Sequence, residues 1–166
     1  MPTITEFLSQ FQAGARPNLF RVEIPFLGER ISFMAKGAQL PAKTISKVPV
    51  NFMDNIFYVA GDTSYQDWTV TVINDTDFSV KFALENWMNV IKTSGQTAGD
   101  KGWSYLSEAY AIQLDALGND IVTYKMFNVF PTDMSAIELS WDSKSTVEEM
   151  QLTLSFSHFG KYTGVI

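Results

Sequence analysis

Apolar and polar residues alternate with a period of two along much of this chain, which predicts half-buried antiparallel strands. The clearest case is 147–159, where Met150, Leu152, Leu154 and Phe156 point one way and Glu149, Gln151, Thr153, Ser155 and Ser157 the other. Before it, a Pro131-Thr132-Asp133 turn leads into a predicted short strand with Ile137, Leu139 and Trp141 on one face and Glu138 and Ser140 on the other. A second turn, 142–145, joins the two. Near the start, 19–26 alternates Phe20, Val22, Ile24 and Phe26 against Arg21 and Glu23. Leu27-Gly28-Glu29 is the tight connection to a predicted returning strand at 30–34. Trp68, Val70 and Val72 alternate with Thr69 and Thr71, and 109–115 with 121–130 form a hairpin around 116–120.

Two segments carry a helical period instead. Thr3 to Glu6 has capping-box spacing, followed by Ile4, Phe7, Leu8 and Phe11 at one-face positions until 13–17 ends the turn. Val80, Ala83, Leu84, Trp87, Met88 and Ile91 define the long helix, about four turns, after possible N-caps at 74–77. Its stripe is the face expected to cover the sheet. The predicted fold is mainly β (α+β): a single domain, 1–166, built as an antiparallel β-barrel or sandwich with one flanking α-helix and a long protruding β-hairpin.

That hairpin, 45–59, departs from the usual pattern. Val48, Val50 and Phe52 alternate, Met53-Asp54-Asn55-Ile56 turns, and Phe57, Tyr58 and Val59 return, so bulky apolar residues crowd the tip. Tips ordinarily project polar residues into water. Either this one folds onto its own core or it buries itself in a neighbouring subunit.

Composition narrows the function classes. At 46% apolar residues the chain is no disordered linker, and no run reaches the roughly 18–20 apolar residues of a membrane-spanning helix. Its N-terminus has neither a basic start nor a long apolar segment, so no secretory signal is expected. Cysteine is absent, which removes disulfides, thiolate metal sites and a thiol nucleophile, and fits synthesis in a reducing cytosol. The net charge is −6 and no basic stripe is visible, the wrong sign for a protein that grips nucleic acid.

Candidate chemistry is sparse. Asp75 with Asp77, and Asp115 with Asp120, lack the twelve-residue ligand spacing of a calcium loop and read as turn residues. Lys36-Gly37 has no glycine-rich lead-in for a phosphate loop. His158 with Ser155 or Ser157 forms no triad, since strand neighbours alternate faces. A ligand-binding barrel built on Trp68, Trp87, Trp103 and Trp141 is the alternative from a different class, but core packing accounts for those residues. Neither catalytic, cofactor nor metal residues are assigned, and an enzyme is not expected.

Five segments together resemble the tail tube protein of contractile-tailed bacteriophages: Arg16-Pro17-Asn18-Leu19-Phe20 with Val22; Ala35-Lys36-Gly37-Ala38-Gln39-Leu40-Pro41; Trp68-Thr69-Val70-Thr71-Val72-Ile73-Asn74-Asp75; Gln113-Leu114-Asp115; and Asn128-Val129-Phe130-Pro131-Thr132 through Trp141-Asp142. The resemblance implies homohexameric rings stacked into a tube inside a contractile sheath, with DNA passing through the lumen without specific binding. It also implies sheath, baseplate and tail-terminator proteins as partners, no membrane insertion, and a place in the virion tail after synthesis in the bacterial host cytoplasm. Tubes of type VI secretion systems and contractile injection machines are related, and a tube of such a device is the nearest alternative. In that family the long hairpin contributes to contact between rings. The expected interface residues are therefore Val48, Val50, Phe52, Met53, Ile56, Phe57 and Tyr58, with Ile4, Phe7 and Phe11 of the first helix as a second docking face.

Overall fold

A computed structural model describes residues 4–6, 15–96, 103–143 and 146–164. Nine strands lie among these residues: β1 Phe20–Glu23, β2 Ala35–Ala38, β3 Lys43–Phe52, β4 Asn55–Tyr65, β5 Trp68–Ile73, β6 Ser107–Leu114, β7 Asp120–Met134, β8 Glu149–Ser155 and β9 His158–Tyr162. Among the described residues, two helices longer than the 4–6 turn accompany them, α1 Arg30–Met34 and α2 Ser79–Gln96. Seven strands run in the order β1-β6-β7-β8-β5-β2, with β9 added on β7, and every pairing is antiparallel.

The 15-residue β7 shapes the body, because it serves two sheets in turn. Residues 123–127 pair with β9, whereas 130–134 pair with β8. Between them Asn128 takes a left-handed conformation, φ 55°, and its side-chain amide donates to Ser157 Oγ at 2.9 Å. A short polar side chain tolerates that conformation best, and the resulting bend carries the strand from one layer to the other. The edge strands β1 and β2 are not paired, so the expected barrel or sandwich resolves to a sandwich-like arrangement rather than a closed barrel.

The core lies where the alternating strands predicted it. Trp68, Val70 and Val72 of β5 meet Met150, Leu152 and Leu154 of β8, joined by Val22, Ala109, Ala111, Met126 and Val129. α2 closes the core with Val80, Leu84 and Trp87. Trp87 is fully buried, its indole N–H donates to the Tyr105 carbonyl at 2.6 Å, and Phe26 stacks on it at 4.6 Å. The indole of Trp68 likewise donates to the Gln39 carbonyl at 2.5 Å. Both tryptophans bury their ring without orphaning the N–H.

Several expectations need correction. Residues 30–34 form a helix, not a returning strand. The chain leaves β1 through a Pro25–Leu27 3-10 turn and Gly28 at φ 79°, which turns it away from the sheet before a second strand can pair. Phe26 thereby quits the strand face it was expected to share. The Arg30 guanidinium then donates to Asp75, Asp77 and Ser79 at 3.0, 3.4 and 3.2 Å, tying α1 to the start of α2. Residues 131–134 belong to β7 rather than to a turn, and 137–141 is not a strand. The β7–β8 ladder runs from Phe130↔Ser155 to Met134↔Leu152, leaving no partner strand for 137–141. Ile137 reaches the core, while Leu139 and Trp141 are exposed. Trp103 is exposed too, so the four tryptophans form neither one core nor one ligand pocket. The predicted 147–159 strand divides at Phe156 and Ser157 into β8 and β9, and α2 extends to 18 residues. The helical turn at 4–6 agrees with the predicted first helix and leaves Ile4 exposed. Phe7 and Phe11 lie outside the described residues.

Candidate assembly interface

Among the described residues β3 and β4 pair only with each other, as a separate two-stranded sheet. An isolated hairpin is at best marginally stable in water. This one has every residue of β3 exposed and all of β4 but Gly61 and Tyr65. Its large apolar side chains range in exposure from 44% at Val50 to 87% at Met53. The hairpin therefore does not fold down onto its own core. Val48, Val50, Phe52, Met53, Ile56, Phe57 and Tyr58 are all brought together on it and are all exposed.

Cross-strand register sorts them onto two faces. Val48↔Val59, Val50↔Phe57 and Phe52↔Asn55 share one side, which is apolar except for Asn55. Lys47↔Ala60, Pro49↔Tyr58 and Asn51↔Ile56 share the other, where the Lys47 ammonium sits 4.6 Å from the centre of the Tyr58 ring. At the base, Ile45↔Thr63 is followed by Lys47↔Ala60, so Gly61 and Asp62 stand opposite Ser46 as a bulge. Bulges bend and twist the strand that carries them.

Gly61 permits that bend. A Cβ there would lie 2.5 Å from Ser46 Oγ and 3.0 Å from Val48 Cγ2. Gly61→Ala is expected to spread the arms at the bulge and re-aim the distal hairpin without unfolding the body. A sedimentation assay should show less assembled material, and adding Ser46→Gly should recover most of it.

The acidic pairs and the histidine make contacts within the chain. Asp115 accepts the backbone N–H groups of Leu117 and Asn119, each at 2.8 Å, and the Asn119 bond is the main cause holding its carboxyl below the ordinary range. Asp120 pairs with Arg21 at 3.3 Å. Elsewhere the Lys125 amine, 2.7 Å from Glu108, holds that carboxyl low and lies over the rings of Tyr110, Phe127 and Tyr162. His158 stacks on Phe127 at 4.5 Å. Sequence reasoning missed a second exposed apolar surface at Leu139, Trp141 and Val147, because period-two alternation assigned Leu139 and Trp141 to a buried strand face.

The phage tail tube protein family matches residues 3–161. The chain belongs to that family. As a tail tube protein it is 33% identical over 156 residues to tail tube protein gp19 of Enterobacteria phage T4, which spans 90% of this chain and 94% of that one. Against gp19 of Enterobacteria phage T6 the identity is 32% over the same length. Its fold resembles the tube-terminating cap of the anti-feeding prophage, with a TM-score of 0.71 at 16% identity over 93% of this chain and 94% of the cap chain. It also resembles a chain of the sheath-tube complex of an extracellular contractile injection system, with a TM-score of 0.63 at 14% identity over 98% and 99% of the two chains. At those identities the structural likeness speaks for the fold alone. Membership and the gp19 relatives make this tail tube protein a structural component of a contractile phage tail, placed in the virion.

Proposed function

We propose that this tail tube protein assembles into homohexameric rings that stack into the inner tube, and that the β3–β4 hairpin makes the contact between rings. The observation that carries the reading is the hairpin itself, a self-paired ribbon whose bulky apolar side chains stay exposed in the described chain. Water penalises that surface, and a second subunit removes it from water. Ile4 is exposed as well, and with Phe7 and Phe11 of the helix predicted from sequence it joins the interface. DNA passes through the lumen without being gripped, consistent with a net charge of −6 and few basic residues. The role is structural rather than catalytic. The subunit is made in the host cytoplasm, and sheath, baseplate and terminator proteins are its partners in the tail.

Negative-stain electron microscopy across a concentration series, with light scattering, tests this. Rings or tubes of uniform width are expected, on their own or when the phage's baseplate is supplied. A persistent monomer under both conditions would overturn the proposal.

A further inference from the structure

A head-to-tail contact that repeats needs two different surfaces on each subunit. The hairpin supplies one. Its face with Lys43, Ile45, Lys47, Pro49, Ile56 and Tyr58 mixes two lysines with exposed apolar surface. The connection between β7 and β8 mixes the opposite charge with the same kind of surface. There Leu139, Trp141 and Val147 are 80%, 97% and 64% exposed, among Glu138, Asp142 and Glu148. Over 136–148 those three acids stand against Lys144 alone, a net charge of −2.

Many charges elsewhere on the body are matched within the subunit: Arg21 with Glu23 and Asp120, Arg30 with Asp75 and Asp77, Lys36 with Glu149, Lys81 with Glu85, and Lys125 with Glu108. Lys43, Lys47, Glu138, Asp142 and Glu148 take part in no ion pair among the described residues. The connection is also held at both ends. Ser135 and Gln151 exchange hydrogen bonds at 2.9 and 2.8 Å, and the Glu148 carbonyl accepts from the Asn74 N–H at 3.0 Å. A surface anchored in this way loses less entropy on docking than a free loop.

We propose that the lysine-bearing face of the hairpin docks on the β7–β8 connection of another copy of this chain. Trp141 and Leu139 cover the apolar strip around Ile56 and Tyr58, while Glu138 and Asp142 face the two lysines. The opposite face, with Val50, Phe52 and Phe57, is then free for a different part of the neighbouring ring. Pairing of unlike charges sets the register, and the apolar contact supplies most of the affinity. The inference rests on the hairpin being a contact between subunits.

The absence of cysteine makes the test direct. Ile56→Cys combined with Leu139→Cys should, in assembled tubes under mild oxidation, give a ladder of covalently linked chains on a non-reducing gel, because a disulfide forms only where the two backbones come within about 7 Å. Phe57→Cys with Leu139→Cys presents the thiol from the opposite face and should give little. A ladder from the Phe57 pair instead, or dimers from Ile56→Cys alone, would overturn the proposal. So would a cross-link only to the sheath. A second measurement needs no cross-link. Lys43→Glu with Lys47→Glu, and separately Glu138→Lys with Asp142→Lys, should each raise the concentration needed for assembly about tenfold. Combining all four should restore it, whereas simple addition of the two losses would refute the pairing. Normal tubes lacking the Ile56 ladder would sink this inference but leave ring stacking intact. If tubes also tolerate charge on the hairpin's apolar face, the hairpin is not a subunit contact at all.

Discussion

Val50→Asp combined with Phe52→Asp is expected to abolish tube formation while leaving the subunit folded. Both side chains lie on the apolar face of the hairpin, exposed in the free chain and outside the buried core. Charging them costs the monomer little, because surface substitutions away from packed features usually stay within about 0.5 kcal/mol. In the assembled tube the same carboxylates would be buried without partners. Uncompensated buried charge costs about 3–5 kcal/mol in each contact, enough to weaken association more than a hundredfold. Circular dichroism should therefore show an unchanged spectrum and melting temperature, while electron microscopy shows rings or monomers in place of tubes. Tubes of normal length from this variant would remove the hairpin as the stacking element.

Trp87→Ala should produce the opposite separation, a destabilised subunit. Trp87 is fully buried at the centre of α2, stacks on Phe26 and satisfies the Tyr105 carbonyl. Truncating a buried tryptophan costs about 3–5 kcal/mol through lost burial and the cavity left behind. In a domain of this size each kcal/mol lowers the melting temperature by about 2–4 °C, so thermal unfolding should fall by roughly 6–20 °C. Trp141→Ala is the matched control. Its side chain is 97% exposed, and the melting temperature should barely move. An equal loss from both variants would contradict the assignment of Trp87 to the core and Trp141 to the surface.

The two tryptophans also mark the boundary of what the pattern could reveal. Trp87 sits in a helical stripe sustained over Val80, Leu84, Met88 and Ile91, where several turns of agreement specify one buried face. Trp141 sits in a three-position alternation, and so short a run is satisfied equally by a strand and by an irregular segment with its apolar residues outside. Residues 30–34 failed for the same reason, since five residues hold barely one period of either kind and Gly28 with the 3-10 turn decided their path. The hairpin was legible as a hairpin, with its turn at Met53-Asp54 and its apolar tip. Whether it folded back or stood free was not, because alternation fixes which side chains share a face and leaves open what that face meets.

Sequence alone thus determined the long strands, the covering helix and the family, all properties carried by local periodicity or by residue identity. Tertiary structure decided the rest: the bend of β7 at Asn128 that makes two layers of one sheet, the open edge between β1 and β2, and the projection of β3–β4 into solvent. Those depend on contacts between residues far apart in the chain, whose free energies are set by which surfaces remain to be covered once the core has closed.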